Sequence, residues 1–535
     1  MIRAIAAVFL LTGCAATLDQ REVFLASVPA DTPYFTGSLE PFPPERWKRA
    51  SGALEGMFET FDGIWAALPQ DLANEDTSDM MLVRFVAAMG DELRGGFNRE
   101  GVQALGINPD GPYILYGLGL QPVVRIALTD GQALRAAVER VVKKVGVELP
   151  IDKQHAGRAY WHIQVSEGVV VLVSIADGDL IATATFDSEP DLDSAFAITS
   201  PERSLADSGK LDQVFDGYGF DSAGAGFLEF QQLMQLVATA GTDNQFGSEA
   251  AEMFSGPCGK EVLDAVAHMP RVLMGYTAPT RGVLAIETSA IVRDGLARLQ
   301  SPMPSLGGLW TERPILGMSV NVDVGAAVDL LVELGQYYSA SACMPLATAA
   351  AALKDLPGQL LGPLAQIRGI NGLQVVVENV AGIDVAPELR AWLSVSHDHP
   401  DQLGQALKMV GALAGFSWPD VPDGQSAALE VSGQIPLVQS LQVIRQGTIL
   451  AVSSGSDMQV RVAQALKAAP AQSRPLFEIG FDERRYTELA LKFMPALVDD
   501  SGVAEVQEIK LQSAKSFLYG AVELTDRGIS IWAVE

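Results

Sequence analysis

The stretches "SIADGDLIATA", residues 174–184, and "VIRQGTILAVS", residues 443–453, share one plan: an apolar run, a turn holding a glycine, and a second apolar run. Each predicts a β-hairpin, because apolar residues alternating on both sides of a glycine turn bury one face of two paired strands. Gly178 and Gly447 stand 269 positions apart, as do Val169 and Val438, Leu172 and Leu441, Ile175 and Ile444, Leu180 and Ile449, and Ala182 and Ala451. Upstream, Leu134, Ala137, Val138, Val141 and Val145 recur at the same offset as Leu403, Ala406, Leu407, Val410 and Ala414, spaced as the apolar face of a helix. One offset running through a helix and a hairpin is the mark of an internal repeat.

Further landmarks recur in the same order with small changes of offset. "PYFTGSL" from Pro33 pairs with "PILGMSV" from Pro314, "VVRIALTD" with "RAWLSVSHD", and "GFLEFQQLMQLV" with "FEIGFDERRYTELAL". The ends match too: "VLMGYTAPTRGVLAIE" turns at Arg281-Gly282 and "FLYGAVELTDRGISIW" at Arg527-Gly528. These pairs set repeats at 31–300 and 312–535, joined by a linker at 301–311 in the Pro/Gly/Ser-rich "SPMPSLGGLW". The expected fold class is α+β: two related domains from an internal duplication, with mostly antiparallel sheets packed with helices. Near the start of the first repeat, Pro43-Pro44-Glu45 announces a helix whose Trp47, Leu54, Met57, Phe58, Phe61 and Trp65 form one aromatic core face.

The chain has 535 residues, and 37 Lys+Arg against 65 Asp+Glu leave a formal charge of −28. Its pI is near 4.5 and its mean hydropathy +0.20. That excess of carboxylates repels nucleic acid and anionic membrane surfaces, so no nucleic-acid partner is expected. With 48% hydrophobic residues there is material for extensive cores. Past the N-terminus no run reaches the roughly eighteen apolar residues that a membrane-crossing helix needs.

The first thirteen residues, MIRAIAAVFLLTG, place Arg3 ahead of an apolar run from Ile5 to Leu11, the form of a short export signal. Its end, Leu11-Thr12-Gly13-Cys14, resembles the lipobox of bacterial lipoproteins. The resemblance implies cleavage before Cys14, a diacylglycerol on its thiol and a further acyl chain on the new amino terminus. Residues 14–30 are then a lipidated tether, and Ala15 after the cysteine points to the outer membrane, facing the periplasm. Two or three acyl chains anchor far more firmly than one, since each buried methylene contributes about 0.8 kcal/mol. The phrase Val-Pro-Ala-Asp-Thr-Pro at 28–33 also resembles uncharacterised bacterial envelope proteins.

Cys258 in "SGPCGKE" and Cys343 in "SASACMPL" remain after Cys14 takes lipid, and two thiols in an exported chain predict one disulfide across the joint between the repeats. "SHDHPDQ" offers His397, Asp398, His399 and Asp401, which reads as a helix-start turn before Pro400 in preference to a metal site. Asp187, Glu189, Asp191 and Asp193 lack the glycine and terminal glutamate of a calcium loop and read as helix capping or a solvated loop. "GYGFDSAGAG" from Gly217 fails the dinucleotide pattern and leads into a strand. No nucleophile elbow, zinc-protease motif or phosphate loop is present, and no catalytic residue, metal or cofactor is expected. The expected function is a non-enzymatic binding or structural lipoprotein of the cell envelope, whose partners are the membrane through Cys14 and an envelope protein or hydrophobic ligand. A carrier of lipid or another hydrophobic ligand, and a hydrolase acting on envelope polymers or lipids, are the alternatives.

Overall fold

The computed structural model describes, apart from a few single positions, residues 18–48, 88, 92, 98–145, 152–166, 169–186, 191–239, 256–306, 313–361, 368–381, 388–431, 438–455, 457–467, 475–493 and 517–534. The chain divides into two compact units, Met1–Val283 and Leu284–Glu535. Both combine helices with antiparallel strands, and the fold class is α+β. The expected aromatic face beyond Trp47, from Leu54 to Trp65, and the lipobox lie outside the described residues.

In the first unit the chain runs through α1 (Leu18–Leu25), β1 (Tyr34–Ser38), α2 (Arg99–Ala104), β2 (Tyr113–Leu118), β3 (Gln121–Ala127) and α3 (Gly131–Val145). There follow β4 (Asp152–His155), β5 (Arg158–Ser166), β6 (Val169–Ala176), β7 (Asp179–Phe186), α4 (Lys210–Tyr218), β8 (Ala223–Glu229), α5 (Phe230–Thr239), α6 (Pro257–Val266) and β9 (Arg271–Ala278). A further strand, β10 (Arg281–Glu287), crosses the division. In the second unit α7 (Ala290–Ala297), β11 (Leu316–Val320), α8 (Val324–Tyr338), α9 (Met344–Leu361), β12 (Ile370–Ala381), β13 (Glu388–His397) and α10 (Pro400–Ala414) come first. Then come β14 (Phe416–Ser417), β15 (Ser426–Ala428), β16 (Glu430–Val431), β17 (Leu441–Gln446), β18 (Ile449–Ser454), α11 (Met458–Lys467), β19 (Pro475–Phe481), α12 (Glu483–Phe493), β20 (Leu518–Leu524) and β21 (Gly528–Val534).

Pairing within the first unit gives the order β5-β6-β7-β3-β2-β1-β8-β9, with β4 added at the edge. In the second unit it gives β15-β17-β18-β13-β12-β11-β19-β20, continued by β21. Every pair is antiparallel, and over these eight strands the two orders are the same. Both α3 and α10 are fifteen residues long and follow the third strand of the series. The hairpins differ by one position. Ala176 faces Asp179 and Gln446 faces Ile449, so Gly178 is the second residue of its two-residue turn and Gly447 the first. By pairing, Leu180 therefore corresponds to Leu450, and the expected match to Ile449 is one residue short. Both glycines adopt positive φ, which either turn position accepts when it is glycine.

The first unit closes over large apolar side chains. Phe35 faces Tyr116 on one side and Phe227 on the other, the row continues through Val123 and Leu273, and all five are buried. Leu134, Ala137 and Val141 turn the predicted face of α3 inward. Residues 18–30, expected as a tether, belong to this core: Phe24, Leu25 and Val28 are buried. Beneath them lies Arg125, whose Nε donates to Asp179 Oδ2 at 2.8 Å and whose Nη1 donates to Ser27 Oγ at 3.1 Å, with the guanidinium 4.3 Å over the Phe24 ring. Apolar residues so near the expected anchor gain more from burial than a solvated spacer would.

The second unit is built otherwise. Its first strand places Ser319 between Gln374 and Glu478, and Ser394 stands next to Gln374; all four are 0% exposed. Such a row is tolerable only if its polar atoms are paired. Ser305 Oγ and Tyr519 Oη donate to Glu478 Oε1, the Leu306 N–H donates to Oε2 at 2.9 Å, Gln374 Nε2 donates to the Pro304 carbonyl, and Ser394 Oγ donates to Gln374 Oε1 at 3.3 Å. The stretch that supplies three of these partners is the expected linker. Its residues 301–306 pack inside the second unit, with Met303 and Leu306 in the core beside Val376 and Trp392. Proline and glycine content marks irregular backbone, and irregular backbone here is a buried cover.

Candidate functional site

The second unit carries a cleft of about 300 Å³ between the first turns of α10 and the loop that follows β14. Pro400 starts the helix, since a residue without a backbone N–H loses nothing at the first helical position. The helix then presents Asp401, Gly404, Gln405 and Lys408 along one side. Opposite stand Trp418, Pro419, Asp420, Val421 and Pro422, and Arg445 and Leu450 complete the lining.

The loop is held by its neighbours. The Gly424 N–H donates to the Arg445 carbonyl and the Arg445 N–H to the Gln425 carbonyl, both at 3.0 Å, while the Gly447 N–H donates to Asp423 Oδ1 at 2.6 Å. Gly424 makes the bend at φ +73°, a conformation that L side chains rarely adopt. Across the cleft, both terminal nitrogens of Arg445 donate to the Asp401 carboxylate, and Lys408 pairs with Asp420. Two cations and two carboxylates balance. The Arg445 Nε is buried without a hydrogen-bond partner. Trp418 is half-buried, and the helix wall beside it is bare: a Cβ on Gly404 would meet only the Trp418 indole nitrogen, at 4.0 Å.

The first unit has a guanidinium–indole contact at the same helical position, made there to a buried tryptophan of strand β5. Arg135, the fifth residue of α3 as Gly404 is of α10, lies with its guanidinium 4.7 Å over the Trp161 ring and donates to both oxygens of Asp152, at 3.1 and 3.3 Å. There the chain covers its own tryptophan; at Gly404 it does not.

Residues singled out from sequence lie elsewhere. Cys14 is outside the described residues. Cys258 at the start of α6 and the buried Cys343 before α9 are both disulfide-bonded. His397 is buried at the end of β13, and its Nδ1 accepts the His399 N–H at 2.9 Å; Asn371 donates to Asp398 at 2.7 Å, so these side chains shape the turn into α10. Asp401 alone of that group reaches the cleft. Asp187 and Glu189 lie outside the described residues, Asp191 caps a single helical turn at 192–195, and Asp193 faces His155 Nε2 at 2.8 Å. The Ser194 hydroxyl and backbone N–H hold the Asp191 carboxyl below its usual pKa. Among the described residues no group of three or more His, Cys, Asp or Glu is placed to hold a metal ion, and no helix is long and apolar enough to cross a membrane. "GYGFDSAGAG" runs from the end of α4 into β8. Sequence reading passed over Trp418 and Gly404; the available signal was a glycine inside an otherwise regular helix, which costs stability unless something requires it.

Comparison with known proteins adds no family. No family model matches the chain, and no curated protein matches it. Among solved structures, one described as crystal form I of TP0453 aligns at 7% identity over 84% of this chain and 97% of that one, with a TM-score of 0.19. At that score the likeness carries no argument about fold or function.

Proposed function

We propose that this chain is a lipoprotein of the cell envelope, anchored by acyl chains on Cys14 at the outer membrane and facing the periplasm, and that it acts by binding and not by catalysis. The observation that carries the anchor is Leu11-Thr12-Gly13-Cys14 behind the apolar run from Ile5. The position of α1 supports it. The helix begins at Leu18, so three residues, at most roughly 14 Å of extended chain from Cα to Cα, separate the acylated cysteine from the folded first unit. For the binding role, the support is the cleft beside Trp418, where both carboxylates that line it are paired with cations and none stands free as a general base. The same strand order in both units supports their descent from one duplicated fold. The test is metabolic labelling with an alkyne fatty acid: the wild-type chain takes up label and fractionates with outer membranes, and Cys14→Ser does neither. Equal labelling of the two proteins would overturn the anchor.

A further inference from the structure

We propose that the cleft of the second unit receives an arginine side chain presented by a partner protein, stacked on Trp418 and bonded to the Asp401 and Asp420 carboxylates. The proposal rests on the binding role given above and names the chemistry that the cleft recognises.

The first unit shows how a residue at the helical position of Gly404 can use a tryptophan and a carboxylate together. On α3, Arg135 spreads over Trp161 and reaches Asp152, the paired use of a flat cation for which guanidinium is suited: its face stacks on an aromatic ring while its edge donates to a carboxylate. On α10 the corresponding residue is Gly404. Trp418 and two carboxylates stand beside it, each carboxylate paired with a cation of the chain itself, and the helix puts no side chain against the indole at this position. Packing does not account for this glycine. Its missing Cβ would have a single neighbour at 4.0 Å, whereas Gly411 on the same helix is pressed against Phe416, with ring and carbonyl atoms 2.7–2.8 Å from where a Cβ would lie. A helix glycine that no contact requires leaves space, and the space lies against an aromatic side chain.

The carboxylates have capacity left. Asp401 and Asp420 each pair with one cation, and their side chains are 75% and 92% exposed, so each keeps lone pairs directed to solvent. Arg445 and Lys408 offset those two charges within the cleft, and an incoming guanidinium would share the carboxylates with them. The chain as a whole carries −28, which draws a basic partner toward it. The loop facing α10 is already pinned to Arg445 through two backbone hydrogen bonds, so the wall opposite the helix is formed before the ligand arrives.

The test uses the full chain with its tryptophans labelled with ¹⁵N, the Trp418 indole resonance being assigned from Trp418→Phe. The probes are the blocked peptide Gly-Gly-Arg-Gly-Gly and its citrulline counterpart, which keeps the shape and loses the charge. The arginine peptide is expected to shift the Trp418 resonance saturably and the citrulline peptide to bind at least tenfold more weakly. Gly404→Met, which fills the space without adding charge, should remove the saturable shift while the remaining indole resonances stay in place. Three results would each overturn the proposal: no response of Trp418 at millimolar arginine peptide, equal binding of citrulline, or a saturable response to the neutral sugar chitotriose in place of the peptide. None of them alters fatty-acid labelling of Cys14, so failure here is separable from failure of the anchored role.

Discussion

Replacing Gly404 by alanine should stabilise α10, and the same replacement at Gly411 should weaken it. Both glycines sit inside one fifteen-residue helix, so the propensity gain is common to both: alanine is favoured over glycine there by about 0.8–1 kcal/mol. At Gly404 nothing opposes it, because the added methyl meets one atom at 4.0 Å. At Gly411 the methyl would fall 2.7 Å from Phe416 Cε2 and 2.8 Å from the Phe416 carbonyl oxygen. The ring can shift, but the carbonyl belongs to the backbone of β14, and overpacking of this kind costs about 1–3 kcal/mol. Subtracting the propensity gain leaves Gly411→Ala at about 0–2 kcal/mol destabilising, so the two variants separate by about 1–3 kcal/mol. Global unfolding of a two-unit chain is a poor reporter, since the units need not melt together. Amide exchange followed by mass spectrometry on peptides spanning 400–414 reads the helix directly. Exchange there should slow about fivefold in Gly404→Ala, as a change of about 1 kcal/mol requires, and quicken or stay level in Gly411→Ala. The same slowing in both variants would refute the claim that Phe416 dictates glycine at 411.

Other outcomes follow from the buried polar groups and the disulfide. Non-reducing peptide mapping should recover Cys258 linked to Cys343, and removing that bond should cost roughly 4–5 kcal/mol by the chain-entropy estimate for a loop of that length. Asp179→Ala leaves the Arg125 and Arg158 guanidinium groups without their shared carboxylate, and should destabilise the first unit by about 3–5 kcal/mol in urea unfolding; a loss under 1 kcal/mol would show that the pair is solvated in solution. Burial raises the pKa of Tyr34, Tyr113, Tyr116 and Tyr519 above the ordinary 10.0, with the Glu478 carboxylate adding to the effect at Tyr519. Because the folded chain then holds these protons longer than the unfolded one, the stability they contribute is complete below pH 10 and is lost as pH rises further. Absorbance near 295 nm should accordingly show these phenols ionising together with unfolding; four phenols titrating at the ordinary value in a folded chain would contradict their burial.

How far the structure could be read in advance depended on how local the cause was. Residues Leu134, Ala137 and Val141 face inward because a helix returns every third or fourth residue to one side, which spacing reveals. The start of α10 was equally plain from Pro400. Its far end was not: Val410, the expected partner of buried Val141, is 56% exposed, while the neighbouring Gly411 is buried against Phe416. The stretch 301–306 reads as a linker by composition, and only the carboxylate of Glu478 and the amide of Gln374, far away in sequence, make it a core cover. Ser319, Gln374, Ser394 and Glu478 look like the wet side of a sheet for the same reason. The cleft escaped notice because its two decisive members, Gly404 and Trp418, are brought together by the turn at Gly415, whose left-handed φ of +82° ends the helix.

The different linings of the two sheets bear on how this chain avoids entangling itself. Two stretches of one polypeptide with the same strand order invite exchange during folding, when a strand from one half docks in the place meant for its counterpart. Here a traded strand finds the wrong surroundings. Were β1 to insert between β12 and β19, the rings of Tyr34 and Phe35 would have to be housed in a strand position flanked by the buried polar side chains of Gln374 and Glu478. Were β11 to insert between β2 and β8, it would bring no aromatic side chain to the place of Phe35 between Tyr116 and Phe227, and that place would stand partly empty. A buried donor or acceptor left without a partner costs about 1–3 kcal/mol, and a core void left by Phe→Ala about 3–5 kcal/mol. Different side-chain linings on the same strand order thus work as proofreading: each half disfavours the other's strands.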